Sequence, residues 1–143
     1  MSKRILVPVD GSEQAEAATE FAAENIPDAT VILLHVINPA EAGYSAQASV
    51  PSFSNEWYEE RQAKAEARFD ELAAVVREAG VESVETVTEV GRPTKTIVEY
   101  ADDHDVDQIV MGSHGRSGMS RLLLGSVAEI VVRRATVPVT VVR

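Results

Sequence analysis

The chain has 143 residues, enough to bury one good core and too few for a second domain, and its 45% hydrophobic content is spread along the sequence in a way that excludes disorder and fibrous classes. It carries 23 acidic against 13 basic residues, a formal −10, and that field repels nucleic acid and anionic membranes and argues against either as a partner. There is no cysteine, so a disulfide frame, a thiol nucleophile and a thiolate metal site are all excluded.

No apolar run approaches the roughly 18 residues of a membrane span, and the early run Ile5 to Val9 is too short for a signal-peptide core, so the expectation is a soluble cytoplasmic protein. The acidic, lysine-poor composition fits a halophilic, high-salt cytoplasm, and a protein fully folded in dilute buffer would count against that.

Lys3 to Val9 is a nearly continuous apolar run, the pattern of a strand buried on both faces of a parallel sheet. Pro8 cannot donate to a ladder and therefore suits only the last turn of pairing. Either Asp10, with Glu13 three residues on, or Ser12 can cap the helix that follows, whose apolar positions Ala15, Ala18, Phe21 or Ala22, and Ile26 recur until Pro27. Thr30 to Ile37 is a second buried strand, stopped by Asn38 and Pro39.

Residues 40–54 are small, polar and aperiodic, a loop able to cover a site. From about Asn55 to Ala79 a long helix presents Ala65, Phe69, Leu72 and Val76 on one face and a Glu60–Lys64 pair on the other, and Gly80 stops it. Ser83 to Val90 alternates as a half-covered strand near a sheet edge, with Val84, Val87 or Val90 inward depending on a bulge. Gly91-Arg92-Pro93-Thr94 opens a helix that runs to about Asp103. Asp107 to Met111 is the next buried strand, and Val137 to Val142, with a proline near its start, is the last.

Five strands alternating with four helices predict an α/β fold, a doubly wound, Rossmann-like open sheet of five parallel strands in the order 3-2-1-4-5 with helices on both faces. Ligands in such sheets sit beyond the carboxyl ends of the strands where the winding reverses. With the first and fourth strands flanking that point, Pro8-Val9-Asp10 and Met111-Gly112-Ser113 face one crevice.

Met111 to Ser126 reads MGSHGRSGMSRLLLGS and holds four of the eight glycines. Glycines let backbone N–H groups approach a ligand, and a helix start behind them offers unpaired donors to an anion. Ser126-Val-Ala-Glu129 fits a capping box. Between Gly112 and Arg134 four arginines face one glutamate, a local +3 in an acidic chain. This is read as a phosphate site. It is neither a Walker loop, for want of a lysine and hydroxyl after the last glycine, nor the G-x-G-x-x-G fingerprint.

The spacing Gly112-x2-Gly115-x9-Gly125-Ser126 resembles that of the universal stress protein (UspA-like) family, in its ATP-binding branch. Val7-Pro-Val-Asp10-Gly-Ser12, Leu34-His-Val36, Gly91-Arg-Pro93 and Val137-Pro-Val139 agree, so the resemblance covers essentially the whole chain as a single domain, 1–143. It implies ATP with Mg or Mn as the cofactor and no assigned metal ligand. Pro8, Val9, Asp10 and Val36 would meet adenine and ribose with Met111 alongside, Gly112, Ser113, His114, Gly115, Arg116, Gly125, Ser126 and Val127 the phosphates, and Ser12 is a further nucleotide-binding candidate. It also implies a homodimer, or a higher oligomer, through the last strand, Val137–Val142, whose edge would otherwise invite uncontrolled pairing.

Plainer explanations stand beside these. The glycine stretch can be a simple strand-to-helix loop, Asp10 only a cap, His35 a hydrogen-bonded core residue, Arg116 and Arg121 solubilising charges, and Asp102-Asp-His-Asp105 with Asp107 a solvated helix end rather than a metal site. Trp57 and Tyr58 anchor the long helix to the core or to a second subunit. No catalytic residue is assigned: near the loop only His114 and Asp10 offer a convincing base, and His114 is read first as a donor to phosphate. The leading function is a nucleotide-responsive stress module, with a slow ATPase or nucleotidyl transferase and a nucleotide-independent dimeric scaffold as alternatives.

Overall fold

A computed structural model of the protein describes residues 3–41, 55–113 and 124–143. Its elements are β1 (Arg4–Pro8), α1 (Glu13–Asn25), β2 (Thr30–Ile37), a 3-10 turn at Pro39–Glu41, α2 (Asn55–Glu78), β3 (Ser83–Val90), α3 (Pro93–Asp103), β4 (Gln108–Gly112), α4 (Ser126–Arg134) and β5 (Val139–Val142). The strands form one parallel sheet in the order β3-β2-β1-β4-β5. The expected α/β architecture and strand order are therefore present.

Periodicity in the strands becomes two cores, one on each face of the sheet. Ile5, Val7, Val31 and Leu33 point to one side, where Ala15, Ala18 and Ala22 of α1 and Ala65, Phe69, Leu72 and Val76 of α2 cover them. Leu6, Ile32, Leu34, Ile109 and Met111 point to the other, under Ile97, Tyr100 and Ala101 of α3 and Ala128 and Val131 of α4. Each fully buried Leu or Ile contributes about 2 kcal/mol by removal from water. That explains why the inner strands read as unbroken apolar runs.

Pro8 closes β1 opposite Leu34, and the following amide, Val9 N–H, donates to Leu34 O at 2.8 Å. The missing proline donor thus falls at the end of the ladder, as its chemistry requires. β3 pairs with β2 without interruption from Thr30↔Ser83 to Ile37↔Val90, so it contains no bulge. Val84 and Val87, three residues apart, consequently serve opposite faces, and Val90 is exposed.

The helix starts differ from one another. Ser12, in extended conformation, caps α1: its Oγ accepts from Ala15 N–H at 3.1 Å, while Asp10 Oδ1 accepts from Ser12 N–H at 3.0 Å. The expected capping box at Ser126 is not formed. Gly125 occupies the cap position with φ −65° and ψ 160°, Ser126 is the first helical residue, and no side chain caps α4. Gly125 is drawn into that place because its N–H donates to Ser113 O at 2.7 Å, tying the start of α4 to the end of β4. Glu129, freed from a capping role, pairs instead with Arg133 at 3.6 Å.

The acidic stretch after α3 is a hydrogen-bonded corner. Asp107 Oδ2 accepts from Arg4 N–H at 2.8 Å and Asp102 Oδ1 from Thr136 Oγ1–H at 2.6 Å. Among the described residues no cluster of His, Asp or Glu has the makings of a metal site, and no helix is long and apolar enough to cross a membrane.

Candidate functional site

β1 and β4 are neighbours whose connections wind in opposite directions, so a crevice opens beyond their carboxyl ends. It holds a cavity of about 300 Å³. That is the lower end of the range of small-molecule sites.

β1 and the turn after it supply Pro8, Val9, Asp10 and Ser12 to the wall. β2 supplies Leu34, His35, Val36 and Ile37, and β4 with its exit supplies Met111, Gly112 and Ser113. Gly125, Ser126, Val127 and Ala128 close the side formed by α4. The candidate residues Pro8, Val9, Asp10, Ser12, Val36, Met111, Gly112, Ser113, Gly125, Ser126 and Val127 are thus brought into one cavity. His114, Gly115 and Arg116 lie outside the described residues, as do Arg121 and the loop segment 42–54.

The wall divides by chemistry. Val36, Met111, Val127, Ile97 and Ala128 extend the core of the α3/α4 face upward, giving an apolar surface on which a flat ring can lie. The polar groups gather where backbone is exposed: Asp10 and the Ser12 cap at the end of β1, and the start of α4, where the cap residue is a glycine and gives the first turn no side-chain cap hydrogen bond. The first-turn N–H groups and the helix dipole favour negative charge.

Two glycines have structural explanations of their own. A Cβ on Gly112 would lie 2.6 Å from Gln14 Cβ and 2.9 Å from the Gln14 carbonyl carbon and oxygen, so α1 crosses β4 too closely for any side chain. Gly11 has φ +88°, and its Cα is covered by the Arg68 guanidinium, 2.7 Å from where a Cβ would stand. This turn carries Asp10 and Ser12 into the crevice.

His35 Nδ1 lies 2.9 Å from Val9 O, and since a carbonyl only accepts, Nδ1 bears the proton and donates. The ring is hydrogen-bonded as expected, but it stands half-buried in the cavity wall rather than in a closed core.

Arg61, Glu41, Pro93 and Ile97 also line the cavity and were not among the candidates. Arg61 Nη1 is 3.5 Å from Glu41 Oε1, and its guanidinium carbon is 5.1 Å from the centroid of the Trp57 ring. In sequence Arg61 looks like one more charge on a solvated helix face. The signal that could have found it is Trp57 one turn earlier, an aromatic shelf for a guanidinium.

A family model described as the universal stress protein family matches residues 1–143. Universal stress protein MJ0577 of Methanocaldococcus jannaschii is 35% identical over 158 residues, covering 100% of this chain and 96% of that protein. A solved structure of MJ0577 has a TM-score of 0.82 to this fold, covering 99% of this chain and 96% of that one. Universal stress protein UspA from Lactobacillus plantarum has a TM-score of 0.82 at 29% identity, covering 99% and 97%. A universal stress protein solved in complex with cAMP has 0.72 at 27%, again covering 99% and 97%. With the sheet order, the crevice and these matches over its whole length, the chain belongs to the universal stress protein family.

Proposed function

We propose that the crevice binds an adenine nucleotide, ATP carried with Mg or Mn, and that the protein works as a nucleotide-responsive regulatory module. The observation that carries this is the joining of an apolar wall (Val36, Met111, Val127) to the glycine-capped start of α4 within one cavity of about 300 Å³. A base needs the first and phosphates the second. The family member solved with cAMP supports a nucleotide as the ligand class.

The donor set suits a metal ion delivered by the phosphates. Magnesium is commonly held by one or two carboxylates together with substrate phosphate oxygens, and Asp10, half-buried at the end of β1, is the carboxylate on the phosphate-facing side of the cavity. The ion would neutralise phosphate charge. Asp10 would orient its water shell, and Ser12 and Ser113 would offer hydroxyl groups.

Binding is placed ahead of turnover because phosphoryl transfer also needs a group to orient the attacking nucleophile, and no residue of the described wall is assigned that role. We assign the second copy of a homodimer to the edge of β5. Between Val137 and Val142 no charged residue guards that edge, whereas the opposite edge, β3, carries Glu85 and Glu89.

The test is thermal unfolding with millimolar Mg-ATP, with AMP, and with matched salt. Ligand at about a thousand times its dissociation constant adds about 4 kcal/mol, a melting-temperature rise on the order of 10 °C. A rise in none of the three, or an equal rise with salt, would overturn the proposal.

A further inference from the structure

We infer that Arg61 contacts the nucleoside end of the ligand, held in place for that purpose by Glu41 and Trp57; this rests on the nucleotide proposal above. Arg61 is the one cationic side chain in the cavity wall among the described residues. Its side chain is 32% exposed, its guanidinium pairs with Glu41 at 3.5 Å, and its guanidinium carbon lies over the Trp57 ring, 5.1 Å from the centroid. Those two contacts hold the guanidinium in place and use only part of its five N–H donors.

Its pairing with Glu41, just past β2, says which end of a nucleotide it meets. Glu41 follows β2, whereas Gly125 and Ser126 are joined to β4 through the bond from Gly125 N–H to Ser113 O, and β1 lies between β2 and β4. Arg61 and the start of α4 therefore stand at opposite ends of the crevice. The charge balance agrees. Glu41 neutralises the corner that Arg61 occupies, a poor setting for a triphosphate and a good one for the uncharged base and sugar, whose ring nitrogens and hydroxyls accept hydrogen bonds from a guanidinium. An arginine dedicated to phosphates would gain from standing apart from carboxylates.

The experiment is an equilibrium titration of Mg-ATP and of adenosine into the wild-type chain and into Arg61→Met, which keeps the aliphatic stem and the helix propensity. Loss of so exposed an ion pair does little to the fold, which far-UV circular dichroism checks. Arg61→Lys, with the charge but not the planar fork, is the second variant. Both ligands should weaken by the same factor, about tenfold, in each variant. Weakening of ATP with adenosine unchanged would make Arg61 a phosphate ligand and overturn the inference, and so would no change in either. A wild-type chain that binds neither ligand would instead defeat the nucleotide proposal itself.

Discussion

At Gly112 tight packing and the cavity wall coincide. The residue lines the cavity, yet its lack of a side chain is demanded by α1, since a Cβ would meet Gln14 at 2.6 Å. Gly112→Ala is expected to lose about 2 kcal/mol through overpacking, seen as a lower denaturation midpoint in urea. A variant as stable as the parent would show that α1 can step away from β4. Tyr100 gives a second handle. Burial first, and then the nearby charge of Glu85, push its phenol above the ordinary value, while Arg4 pulls it back. The folded state therefore holds the phenolic proton more tightly than the unfolded state. The resulting stabilisation is fully present below about pH 10 and is lost as pH rises through the folded value. Tyr100→Phe should flatten that alkaline loss of stability, measured as urea midpoints on either side of pH 10.

Helix starts show what sequence patterns can and cannot specify. Ser12 was one of two candidates for capping α1, and the bond from Ala15 N–H decides in its favour, with Asp10 supporting the turn. Ser126-Val-Ala-Glu129 matches a capping box as written, but the preceding glycine takes the cap because its N–H is claimed by Ser113 O, a contact between residues distant along the chain. The two serines should accordingly respond differently. Ser12→Ala is expected to cost about 1 kcal/mol of stability. Ser126→Ala, at an exposed first helical position, should leave stability within about 0.5 kcal/mol of the parent while weakening ATP about fivefold. Equal destabilisation by both would restore the capping role of Ser126. For the strands, unbroken apolar runs located β1, β2 and β4 to within a residue. Sequence left the inward face of β3 open, because an edge strand covered on both sides in part has no clean period; the structure resolves it by giving Val84 to one face and Val87 to the other.

Across the whole molecule, the fold was legible because alternating buried runs and capped helices leave few right-handed parallel arrangements. The cavity was legible on the sides contributed by strand ends and glycines. It was not legible where α2 reaches over it. Arg61 enters the wall by tertiary placement, and nothing in local periodicity separates it from Lys64, one turn on, which is exposed and pairs with Glu60 on the surface. The two edges of the sheet make a further asymmetry. β5, with an apolar and uncharged edge, is expected to carry the dimer, so Val141→Lys should convert a dimeric sedimentation profile into a monomeric one without loss of helical signal. A parent chain that sediments as a monomer would place no partner there.

One crevice, between the ends of β1 and β4 and the start of α4, is proposed to hold the nucleotide. Isothermal titration of Mg-ATP into the wild-type chain and into Gly125→Val tests it most directly, because a valine at that cap fills the space beside the first-turn N–H groups. The expected result is one saturable site per chain in the wild type and its loss in a variant that keeps its circular dichroism spectrum. Absence of binding in the wild type, or unaltered binding in the variant, would rule out a nucleotide site at this crevice.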